Sequence, residues 1–109
     1  MDLFNELQTK QMELNTSIKQ LRHTGTEYAE AERNYKICLR QEALKLRDEG
    51  MAIGMIDKTC YGVPEVAEKR FTRDVAKAVY QANQEAINSI KLQIRVIEGQ
   101  LNREWSNTK

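Results

Sequence analysis

Proline is almost missing from this chain of 109 residues: one, Pro64, and beside it only five glycines. Folds built on many tight turns need both residue types, so a sandwich or a barrel of short strands is excluded and long uninterrupted helices are favoured. Aromatic residues make up only 6% and charged residues 30%, a balance that suits solvated rods better than a compact mixed fold. Two cysteines, Cys38 and Cys60, make no disulfide framework and fit a reducing compartment, and neither has the neighbouring thiols or imidazoles that zinc or redox chemistry requires. No run is long and apolar enough to span a bilayer, and the opening MDLFNELQTKQMEL lacks the basic flank and apolar centre of a secretory signal, so no membrane partner and a cytoplasmic location are expected. Charge of either sign is not in excess: 17 Lys and Arg against 16 Asp and Glu leave +1, which implies no global attraction to nucleic acid.

Apolar periodicity fills what remains. From Pro64 to Trp105, apolar residues recur at Phe71, Val75, Val79, Ala82, Ala86, Ile90, Ile94, Ile97, Leu101 and Trp105, in steps of three and four that define one side of a helix. About 40 helical residues run roughly 60 Å, so the partner must be equally long, and only the first half of the chain supplies it. There, Leu7, Leu14, Leu21, Tyr28 and Tyr35 form one column at seven-residue spacing, and Phe4, Ile18, Leu39 and Leu46 a second. Asp2 is placed to cap this arm and Gly50 to close it, while Pro64 and Glu65 suit the first turn of the next. The expected fold is therefore all-α: a single domain made of a long, coiled-coil-like antiparallel helical hairpin with an arm over residues 2–50, a connector over 51–63 and an arm over 64–105.

Three local features refine this expectation. His23-Thr24-Gly25-Thr26 is a weak stretch; a continuous helix is favoured there, with a break and a new cap at Thr26 as the alternative. The connector MAIGMIDKTCYG is too apolar for a solvated loop and predicts a short helical turn around Ile56 to Cys60 folded onto the hairpin end. The tail SNTK is expected to fray. The Ile-rich end of the second arm, Ile87 to Leu101, carries more apolar surface than one facing helix covers. A homo-oligomer, a dimer or higher, is expected, with two hairpins completing a helical bundle. Asn83, Gln84 and Asn88 flank the seam, where polar groups either fix register at some cost in stability, the favoured role, or line a polar pocket.

No catalytic constellation is visible: there is a single histidine, no nucleophile motif, no phosphate-binding glycine loop and no zinc-ligand spacing, so a non-enzymatic protein without metal or cofactor is expected. The candidate binding residues are cationic. Arg33, Lys36, Arg40 and Arg47 share one face of the first arm, and Arg70, Arg73 and Lys77, followed by Tyr80 and Gln84, one face of the second. A hairpin turn brings the two stripes together. Arginine forks hold phosphate and a tyrosine stacks a base or ribose, so Arg70, Arg73, Lys77, Tyr80, Arg40 and Arg47 are the expected contacts to a small phosphorylated nucleotide. Alternatively, these are solvated helix ends paired to Asp48, Glu49, Glu68 and Asp74.

The segment over residues 28–105, with YAEAERNY, LKLRDEG, RFTRDVAKAVY and EAINSIKLQIRVIEGQLNREW, resembles small helical proteins encoded by phages and prophages of Gram-positive bacteria. The resemblance implies a non-enzymatic role in the infected cytoplasm. One reading is a counter-defence protein, a sponge that sequesters a nucleotide signal. The others are direct inhibition of a host immune effector, or an accessory role in phage replication or recombination through a protein partner or, less favoured, nucleic acid. A structural oligomer without ligand is the third possibility.

Overall fold

A computed structural model describes residues 2–108 of the chain. Three helices account for nearly all of them: α1 (Leu3–Asp48), α2 (Ile53–Gly62) and α3 (Pro64–Thr108). Each boundary has a local cause. The Asp2 carboxylate accepts the Asn5 backbone N–H at 2.8 Å, capping α1. At the other end Gly50 takes φ +89°, its N–H reaches the Arg47 carbonyl, and the Met51 N–H reaches the Leu46 carbonyl at 3.1 Å. This is the Schellman closure, and its usual hydrophobic contact is present, since Met51 packs on the cluster that holds Leu46. Val63 is extended because Pro64 follows it, and Pro64 begins α3 at the position where a missing N–H costs nothing.

Between them, α1 runs unbroken through Gly25, as the continuous-helix reading required. The connector is more helical than a single turn: α2 spans ten residues and buries Ile56 and Cys60. The tail expected to fray continues α3 through Thr108, while Lys109 lies outside the described residues.

The packing groups into two units, residues 1–23 with 81–109 and residues 24–80. In the first, α1 and α3 segments run antiparallel, with Ser17 against Asn83 and the α1 residues Glu6 and Lys10 sharing a groove with α3 residues from Leu92 to Gln100. Ile87 and Ile97 are its buried residues, with Leu7, Leu14, Leu21, Ile90, Ile94 and Leu101 half-buried around them. In the second unit the pairing is again antiparallel, Tyr28 beside Tyr80 and Tyr35 beside Arg73. Here α2 supplies a third wall: Leu46, Ile56 and Cys60 form a core against which Leu39, Ala43 and Met51 pack.

Two expectations about the seam are corrected. Phe71, Val75, Val79, Ala82 and Ala86 are exposed, Phe71 at 63%. The inner column of α3 is instead Val66, Arg73, Tyr80, Ile87, Ile94 and Leu101, at strict seven-residue spacing, accompanied by Ala76, Asn83, Ile90 and Ile97. Arginine and tyrosine bury their stems and rings where α1 offers polar ends something to bind, so over the first half of α3 the less apolar side faces inward, while from Ile87 onward the isoleucines do. On α1 the first column holds, but Phe4 and Ile18 are exposed while Leu39 and Leu46 are covered. The difference is α2, which packs against the latter pair.

Candidate functional site

The unit of residues 24–80 has two unlike sides. Helical spacing puts Lys36, Arg40 and Arg47 of α1 on the same side as Arg70, Arg73 and Lys77 of α3. Glu32 confirms that the stripes approach each other: its Oε1 lies 3.8 Å from Lys36 Nζ and 3.7 Å from Arg73 Nη1.

Arg73 is used up by the fold. Its Nε donates to Asp74 Oδ1 at 2.7 Å, and its guanidinium carbon sits 4.7 Å from the centre of the buried Tyr35 ring. The hydrogen bond to Asp74 pushes its pKa above the ordinary arginine value against the opposing effect of burial, with Asp74, Tyr35 and Glu32 adding to the rise. Tyr80 is likewise a packing residue. Its ring centre is 5.8 Å from that of Tyr28, tilted by 31°, and it covers the space that a side chain at Gly25 would occupy.

The remaining cations of the expected site are exposed but dispersed. Arg70 lies over Tyr61 of α2 at 5.8 Å, and Lys77 stands on the outside of α3. Arg40 and Arg47 do come together, lining an open groove of about 290 Å³ with Ala43, Leu44, Ile53, Ile56 and Asp57. Of the six candidate residues, then, this pair shares a groove, while Arg73 and Tyr80 belong to the helix seam.

The opposite side carries a groove that the basic stripes gave no hint of. Glu27, Glu30, Ala31 and Asn34 from α1 and Thr72, Val75, Ala76 and Val79 from α3 line an open trough of about 400 Å³. Its α3 side is aliphatic and its α1 side is acidic. The apolar row of Phe71, Val75 and Val79 and the pair Glu27 and Glu30, three apart on one helix face, are visible in the sequence, but their exposure is not.

Burial pushes both thiols above their ordinary pKa, with Glu65 the next cause at Cys38 and Glu42 at Cys60, so neither is activated as a nucleophile. Among the described residues no three His, Cys, Asp or Glu side chains gather as a metal site, and no helix is long and apolar enough to cross a membrane. Compared with protein-family models, with characterised proteins and with solved structures, the chain matches none.

Proposed function

We propose that this chain is a non-enzymatic binding module that acts through the outer faces of its helices and associates with copies of itself. The observation that carries the reading is the exposure of Phe71, Val75 and Val79 beside a seam that is already filled. Apolar side chains aligned on one helix face, next to a groove, mark an interaction surface rather than scattered surface residues. Sedimentation velocity over a range of protein concentrations tests it. Mass rising with concentration in the wild type, and not in Val79→Asp, supports the reading; an ideal monomer up to several hundred micromolar refutes self-association.

A second reading is favoured by the cationic side. Arg40 and Arg47 in one groove, with Arg70 and Lys77 exposed on the same side, suit a phosphorylated nucleotide. The resemblance to phage-encoded helical proteins supports a counter-defence sponge in the cytoplasm of an infected cell. A ligand that binds only the folded state at a hundred times its Kd stabilises that state by about 2.7 kcal/mol. A panel of cyclic and ADP-ribose-derived nucleotides producing no shift in melting temperature sinks this second reading and leaves the first intact.

A further inference from the structure

We infer that the groove over Val75 and Val79 in one copy receives the outer face of α1 over Ile37 and Leu44 in the next copy. The inference rests on the self-association reading and names the two surfaces that meet. Both belong to residues 24–80, yet they are different patches of the chain.

The groove asks for a particular occupant. Its aliphatic side, Val75 and Val79 of α3, takes apolar side chains, and its acidic side, Glu27 and Glu30 of α1, takes cations. A basic amphipathic helix satisfies both demands. The chain carries such a helix face. Ile37 and Leu44 are exposed at 49% and 48%, seven residues apart and so one above the other on α1. Arg33, Arg40 and Arg47, again seven apart, run alongside them, all exposed. Residues at this spacing form a straight apolar ridge with a parallel cationic ridge, whose Arg40, Leu44 and Arg47 end borders the groove against α2, the counterpart of a row of valines opposite a pair of glutamates.

Electrostatics also argues against the simpler symmetric contact. An isologous contact sets the same patch against itself, so Glu27 and Glu30 are covered by apolar or acidic residues of the copy and gain no cation from it. Pairing the acidic groove with the cationic ridge brings opposite charges together and is favoured over that contact. Because groove and ridge are different surfaces, each added copy leaves one of each free. The association is heterologous and grows into a ring or an open chain of copies.

Mixing two single variants distinguishes this arrangement from a symmetric one. Val75→Asp spoils the groove and keeps the ridge; Leu44→Asp spoils the ridge and keeps the groove. Both positions are about half exposed, so each variant is expected to retain its helical circular dichroism and melting temperature. In sedimentation velocity, each alone is expected to associate more weakly than wild type by roughly thirtyfold or more. Mixed in equal amounts, they are expected to form a pair that grows no further. That pair should weaken as salt is raised, since its charges screen. Leu44→Asp associating like wild type, or an equimolar mixture that stays monomeric, overturns the inference while the self-association reading stands. A monomeric wild type overturns both.

Discussion

Gly25 lies inside α1, where glycine costs about 1 kcal/mol relative to alanine. A Cβ added there meets Tyr80 Cε1 at 3.2 Å, with Cδ1 at 3.7 Å and Cζ at 3.9 Å. Ordinary carbon contacts lie at 3.5 to 4.0 Å, so the near edge of the ring must retreat by about 0.4 Å. Tyr80 is half-buried, with its ring tilted by 31° against that of Tyr28. A displacement of that size costs about 0.5 kcal/mol, the lower end of an off-rotamer penalty. Gly25→Ala is therefore expected to stabilise the protein by about 0.5 kcal/mol, half of what an open helix site returns. Urea unfolding at one fixed protein concentration measures it, with the slope unchanged. The same substitution made on Tyr80→Ala should recover the full gain of about 1 kcal/mol, and the difference isolates the ring contact. An equal gain in both backgrounds, or a loss above about 1 kcal/mol with Tyr80 present, refutes the reasoning.

Arg73→Ala removes the contact with Tyr35 and the link to Glu32, and is expected to cost about 1 kcal/mol in urea unfolding, with Arg73→Lys in between because an ammonium keeps the charge but not the flat stacking surface. Asn83 Nδ2 donates to the Ser17 carbonyl at 3.1 Å across the seam, so Asn83→Leu should match or exceed wild-type stability yet split amide resonances into more than one set as register loosens; a single set with lowered stability contradicts this. Cys60 is 2% exposed and Cys38 half-buried, so iodoacetamide should modify Cys38 first under native conditions, as peptide mass mapping would show. Burial, then Glu42 and Asp57, hold the folded Cys60 thiol above its ordinary pKa of 9.0. A raised folded value means stability present below the unfolded pKa and lost as pH rises through the folded one. Melting temperature should therefore fall on the alkaline side of pH 9, and Cys60→Ala should make that fall shallower.

The helix ends were legible because their causes are local. Asp2, Gly50 and Pro64 act within a few residues of themselves, and the column from Leu7 to Tyr35 needed only its own spacing. The phase of the first half of α3 was not legible from its own residues. Phe71, Val75 and Val79 make the more apolar side, yet Arg73 and Tyr80 face α1 because Glu32, Tyr35, Gly25 and Tyr28 receive them, and those partners lie some forty residues or more away in the chain. The same dependence holds for part of the expected site. The shared face of Arg70, Arg73 and Lys77 followed from spacing, but that Arg73 is committed to Asp74, Glu32 and Tyr35 depended on what stands opposite.

A seam of arginine, tyrosine and asparagine beside an exposed row of phenylalanine and valine divides two tasks between two faces of α3. The polar inner seam specifies which residues of α1 lie opposite, since Arg73 finds Glu32 and Asn83 finds Ser17 in one register only. The outer row makes few such demands, and on the proposed reading it serves association. Its strength is bounded. Fully burying an aliphatic or phenyl side chain is worth about 1.5 to 3 kcal/mol, and Val75, Val79, Ile37 and Leu44 are already about half covered, so completing their burial contributes about 1 kcal/mol each. Roughly 4 kcal/mol of hydrophobic gain barely meets the low end of the 4 to 15 kcal/mol cost of bringing two molecules together. Those four side chains alone thus leave almost no net association, and any stable contact depends on Phe71 and on the pairing of Glu27 and Glu30 with arginines. A helix surface this weak per contact becomes effective by repetition. A heterologous arrangement provides that when it closes into a ring, because each copy is then held at both its groove and its ridge.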